Sequence, residues 1–163
     1  MTEVIQEYKR VMVAVDGSDS AERAFKKATR IAVRNHSDLV IAHVVDTRTY
    51  SMGMPALYTE GIVSESEVMT EQLEKYKQEA QAQGVSNVSV EIAKGHPRTL
   101  LAEELPKRHK VDLIIVGQTG LNAIERWMIG SVSEYILRTA PCDVLIVKNE
   151  LEKQNKTLNI YMC

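Results

Sequence analysis

Three stretches of the chain, Val11–Val15, Leu113–Val116 and Val144–Val147, are almost unbroken runs of apolar and mostly β-branched residues. They lack the alternating polar positions of a strand with one wet face. Such runs belong to strands covered on both sides, as in a parallel sheet packed between helices. With the wider limits Arg10–Val15, Asp38–Val45, Val88–Ala93, Asp112–Val116 and Asp143–Val147, five strands are expected.

Helical spacing fills the gaps. Ala21, Ala24, Phe25, Ala28, Ile31 and Ala32 share one face of a first helix, opened by the capping box Asp19-x-x-Glu22. Met69, Leu73, Tyr76 and Ala80 share a second, after Ser64-x-x-Glu67 and ending at Gly84. A third starts at Pro97 and carries Leu100, Leu101 and Leu105, with Pro106 expected to kink or end it. A fourth covers about Ser131–Thr139. The order β-α-β-α-β-α-β-α-β predicts an α/β fold with a mostly parallel sheet and right-handed crossovers. Asp46–Val63 is long for a connection and reads as a lid or mobile loop. The expected organisation is one domain over residues 1–148 and a C-terminal tail over 149–163, the latter disordered or a short docking strand.

The 163 residues suit a single domain, with a core that needs no staple. A formal net charge of −2 gives no basic surface for a phosphate backbone, which argues against nucleic acid as the partner. Two cysteines, Cys142 and Cys163, and scattered histidines offer neither a disulfide framework nor metal-ligand spacing. The polar start Met1–Tyr8 lacks a signal-peptide core, and no run reaches the ~18–20 apolar residues of a membrane span. A cytoplasmic protein with no membrane partner is expected.

In open α/β sheets, ligands bind beyond the carboxyl ends of strands where the strand order reverses. The loops after the first and fourth strands are therefore the candidates: Asp16-Gly17-Ser18-Asp19-Ser20, and Gly117-Gln118-Thr119-Gly120 followed nine residues on by Gly130-Ser131-Val132-Ser133. Gly117 and Gly120 would let amide groups turn towards a ligand, and the helix opening at Gly130–Ser131 favours an anion. The alternative is a plain glycine turn followed by a capping box of Ser131 and Glu134. No lysine follows the glycines as in a P-loop, and no GxGxxG follows the first strand. Asp16 is either a ligand-facing acid or a turn-former. His43 reads as a hydrogen-bonded structural histidine rather than a catalyst. No nucleophile, base and orienting group converge, so binding rather than efficient catalysis is expected.

Gly117-x2-Gly120-x9-Gly130-Ser131 resembles the motif of the ATP-binding branch of the universal stress protein family. Val13-Ala14-Val15-Asp16-Gly17-Ser18, Ala42-His43-Val44-Val45, Lys94-Gly95-His96-Pro97, Val111–Gly117 and Ala140–Val147 resemble that family's other segments in order. The resemblance, covering Lys9–Lys148, implies a five-stranded parallel sheet of order 3-2-1-4-5, with helices on both faces, of the adenine nucleotide alpha hydrolase-like kind. It implies that Ala14, Val15 and Asp16 line the nucleoside side, with Asp16 near the ribose hydroxyls or a Mg²⁺ ion, and that Val44 meets adenine through its backbone. Val116 and Gly117 would flank the ribose and α-phosphate. Gly120, Gly130, Ser131, Val132 and Ser133 would hold phosphates, whereas Gln118 departs from the basic or small residue expected there and would weaken a phosphate contact. It also implies a homodimer paired antiparallel through the fifth strand, Asp143–Val147. The function implied is an ATP-dependent regulator in stress. The competing readings are an interaction module of the same fold without nucleotide, a signalling receiver and a flavin protein.

Overall fold

The structure is a computed structural model and describes residues 7–50, 55–120 and 128–149. The elements in chain order are β1 (Arg10–Ala14), α1 (Asp19–Asn35), β2 (Asp38–Asp46), α2 (Thr47–Tyr50), α3 (Pro55–Ala82), β3 (Val88–Gly95), α4 (Pro97–Thr99), a π-turn (Leu100–Glu104), α5 (Leu105–His109), β4 (Leu113–Gly117), α6 (Ser131–Thr139) and β5 (Asp143–Val147). The sheet has five strands in the order β3-β2-β1-β4-β5, and every neighbouring pair is parallel. This is the expected architecture.

Successive residues of each strand feed opposite faces. Val11 and Val13 of β1, Leu39 and Ile41 of β2, and Leu113 and Ile115 of β4 pack with α1 and α3. Met12, Val40, Ala42, Ile114 and Val116 pack on the other side with Leu100, Leu101, Leu105 and Ile136. The two central strands are thus apolar at consecutive positions because each face has its own helical layer. Phe25 of α1 and Tyr76 of α3 stack at 4.3 Å between ring centroids, joining the helices of the first layer.

Three local expectations need correction. The segment 46–63 is largely helical: α2 follows β2 directly, and α3 begins at Pro55, well before the expected start at Ser64. The α1 cap is Ser18, whose Oγ accepts from Ala21 N at 3.1 Å, not the box opened by Asp19. Pro106 does not end the third helix. The wide turn closed by Leu105 N donating to the Leu100 carbonyl absorbs it, and Leu105 stays helical at φ −65° and ψ −43°. Pro106 then stands in the first turn of α5, where a missing N–H costs little. Of the expected tail 149–163, all but Asn149 lies outside the described residues, as do Tyr50's side chain, Met52 and Met54 of the long connection and the pair Glu125–Arg126.

Candidate nucleotide cavity at a fork in the sheet

The sheet opens at one place. The β1–β4 ladder stops at Val13↔Ile115, while β1–β2 continues to Ala14↔Ala42 and β4–β5 to Gly117↔Val147. Val15 N donates to the Ala42 carbonyl and Gln118 N to the Val147 carbonyl, each at 2.9 Å, so each half of the sheet keeps its own pairing past the split. β1 and β4 therefore diverge as a fork at the point where the crossovers reverse direction, the expected place for a ligand in this class of fold.

A cavity of about 720 Å³ occupies the fork, a volume typical of small-molecule sites. Ala14, Val15 and Asp16 form one wall and Val44 the floor at the end of β2. Val116, Gly117 and Gly120 form the opposite wall, closed by Gly130, Ser131, Val132 and Ser133 at the start of α6. Every residue expected at the site is thus brought to one hollow.

The two loops meet directly. A Cβ built on Gly120 would lie 2.7 Å from Asp16 Oδ2, so a side chain there would push the Asp16 carboxylate aside. Gly117 is required for a different reason than expected. Neither Gly117 nor Gly120 has a positive φ; a Cβ on Gly117 would stand 2.7 Å from the Ser20 carbonyl oxygen, so this glycine makes room for α1. Gly17 does need its freedom, at φ +83°. Asp16 combines both readings offered for it: Oδ1 accepts from Ser18 N at 3.0 Å, shaping the turn, and the residue also lines the cavity.

The helix start is open to a ligand. Gly130 is the N-cap of α6 and no side chain among the described residues caps it, so the capping box of Ser131 and Glu134 is not made. Glu134 instead pairs with Arg138 at 3.2 Å. Uncapped N–H groups at a helix start, together with the positive end of its dipole, favour an anion. Ser133 differs from Ser131: its Oγ is buried and donates to the Gly117 carbonyl at 2.8 Å. Gln118 is not part of the cavity wall; its Oε1 accepts from Asn149 N at 3.1 Å.

Sequence reasoning missed part of the wall. Glu65 of α3, Pro97, Leu101, Thr119, Met128 and Ile129 also line the cavity. His43 is buried, with Nδ1 2.8 Å from the Val15 carbonyl oxygen and Nε2 3.2 Å from Glu65 Oε1. A carbonyl can only accept, so Nδ1 carries the hydrogen. His43 is the hydrogen-bonded structural residue expected, and it fixes the Val15 wall of the cavity against α3. At the rim, hydrogen bonds from Arg48 hold the Asp46 carboxyl below its ordinary value.

A parallel sheet with a fork at its switch point and a glycine-lined hollow there defines a doubly wound α/β protein with a ligand-sized cavity where such sheets bind ligands. The sequence profile of the Universal stress protein family matches residues 7–148, and the chain belongs to that family. A putative universal stress protein of Staphylococcus haemolyticus is 44% identical over 144 residues, spanning 88% of this chain and 86% of the relative. Universal stress protein UspA from Lactobacillus plantarum has a similar structure, with a TM-score of 0.81 and 30% identity over 88% of this chain and all (100%) of that one. A universal stress protein solved in complex with cAMP is also 30% identical, with a TM-score of 0.63 over 88% of this chain and 98% of that one. No helix among the described residues is long and apolar enough to cross a membrane.

Proposed function

We propose that this chain is an ATP-binding universal stress protein, a cytoplasmic, nucleotide-dependent regulator in the stress response that holds its ligand without efficient turnover. The observation that carries this reading is the shared cavity in which Ala14–Asp16 and Gly120 stand together with the start of α6 at Gly130–Ser133. The apolar walls Val44, Val116 and Leu101 suit a base, and the amide-rich end suits phosphates. The related protein in complex with cAMP supports an adenine nucleotide as the ligand class.

Mg²⁺ would enter with the triphosphate. Asp16 offers one carboxylate to it, and among the described residues no group of three or more His, Cys, Asp or Glu side chains forms a cage of its own. Magnesium held by one carboxylate and phosphate oxygens is an ordinary arrangement. The partner proposed is a second copy, paired through the half-exposed edge strand β5.

Titration calorimetry with ATP, ADP and cAMP, with and without Mg²⁺, tests the reading. Saturable binding of ATP is expected. No heat at millimolar ATP, and no nucleotide released from denatured protein, would leave the interaction module of the same fold as the function.

A further inference from the structure

We propose that Asn149 is a positioning residue for the loop Gly117–Gly120, and that it links nucleotide occupancy to the chain that follows β5. The proposal rests on the nucleotide reading above for its binding consequence, though not for its structural half.

Asn149 lies two residues beyond β5, one residue past the end of the family match, and does not line the cavity. Its polar groups are nevertheless directed at the loop and its supports. Asn149 N donates to Gln118 Oε1 at 3.1 Å, and Asn149 Nδ2 donates to Thr119 Oγ1 at 3.0 Å. Asn149 Oδ1 accepts from Arg23 Nη2 of α1 at 3.1 Å. Thr119 N donates in turn to Ser20 Oγ at 3.3 Å. The loop is therefore held from α1 on one side and from the end of β5 on the other.

The chemistry gives this clamp a purpose. A ligand gripped by main-chain amides depends on their being held in place beforehand, to within about 0.5 Å. A segment with a glycine at each end has little stiffness of its own. Rigidity must come from outside, and Asn149 supplies a donor and an acceptor in one flat group, which an apolar residue of similar size does not. Gln118 explains itself in the same way: it receives the backbone of Asn149 rather than contacting phosphate. Because coupling between binding equilibria is reciprocal, a loop stiffened by ligand must also tighten its hold on Asn149.

Two readouts test this on the full chain: ATP affinity by calorimetry and amide hydrogen exchange without ligand. Asn149→Ala is expected to speed exchange at Gln118–Gly120 and to weaken ATP binding about three- to tenfold. The melting temperature should shift by no more than about 2 °C, since Asn149 is half-exposed and water replaces the lost partners. The Thr119→Val and Asn149→Ala effects on affinity should be less than additive, whereas Thr119→Ser, which keeps the hydroxyl, should restore the Asn149 contribution. ATP should slow exchange at the Asn149 amide of the wild type. Unchanged loop exchange in Asn149→Ala overturns the proposal, and so does a loss of affinity that appears only together with a fall in melting temperature. If the wild type binds no ATP, the nucleotide reading and the linkage fail, and loop exchange still decides whether Asn149 positions the loop.

Discussion

Ser133 Oγ donates to the carbonyl oxygen of Gly117 across 2.8 Å, fastening the first turn of α6 to the last residue of β4. The bond spans the two halves of the glycine motif and uses the hydroxyl's only hydrogen. Ser131, two residues earlier and exposed, lines the cavity instead. Two serines of one motif thus differ: one is spent on the fold and the other is left at the cavity.

That division predicts opposite behaviour for two alanine variants. Ser133→Ala leaves a buried carbonyl without its partner, which costs about 1 kcal/mol. A fall of about 2–4 °C in melting temperature follows for a domain of this size. Ser131→Ala should melt within about 1 °C of the wild type and bind ATP several-fold more weakly, a loss on the order of one hydrogen bond. Differential scanning fluorimetry and calorimetry on the pair check this, and equal melting losses would contradict it.

The two outer glycines of the motif should separate in the same manner. A Cβ at Gly117 collides with the backbone of Ser20, so Gly117→Ala should destabilise by about 1–3 kcal/mol through overpacking. A Cβ at Gly130 meets Gln118 O and Thr119 Cα at 3.5 Å, an ordinary contact, and φ there is −62°. Gly130→Ala should therefore fold normally. Gly130→Val, which adds bulk at the mouth of the helix start, should abolish ATP binding while the melting temperature stays near the wild-type value.

Burial, aided by the nearby carboxylates of Asp112 and Asp143, pushes the Cys142 thiol up from 9.0 to about 11. At pH 8 the thiolate is then scarcer by about a hundredfold than for an ordinary thiol, so alkylation should be slow. Between these two values the native thiol keeps a proton that the unfolded chain has released, so stability falls as pH rises from 9.0 to about 11. Iodoacetamide labelling of a Cys163→Ser variant against pH reads the first effect, and melts of Cys142→Ala against wild type read the second. Labelling at pH 8 as fast as a free thiol would refute both.

The proposed dimer can be tested at the backbone. The Val147 carbonyl accepts from Gln118 N, so Val147 faces β4. Residues alternate along a strand, so the N–H groups of Val144 and Ile146 face away from the sheet. Proline is tolerated on an edge strand where its missing donor would point outward. Val144→Pro is therefore expected to remain folded but sediment as a monomer, while the wild type sediments as a dimer. A monomeric wild type, or a dimeric variant, would remove β5 as the interface.

Much of this was legible in the residues, for physical reasons that differ from element to element. β1 and β4 announced themselves because both faces are covered and no polar position interrupts them. The glycine spacing located the site because Gly117 leaves no room for a Cβ against the Ser20 backbone and Gly120 stands beside the Asp16 carboxylate. The early start of α3 was hidden because Gly61 and Pro55 read as loop signals, although Ile62 is buried as Met69 is. Glu65 was missed with it, since nothing local marks a carboxylate that reaches across to His43. Pro106 misled because its usual effect assumes a regular α-turn, and the wide turn at Leu100–Glu104 removes that assumption. The bond of Gln118 to Asn149 was not legible because the two residues are remote in sequence.

The open start of α6 carries a last implication. Its offering to a ligand is a set of peptide groups, which every amino acid possesses, so the grip itself cannot be deleted by exchanging one side chain. Mutation can only crowd it, slacken it or tilt it. On the nucleotide reading proposed above, exchanges at Glu65, Met128 and Ile129 change the cavity's lining while the peptide groups at the start of α6 stay as they are.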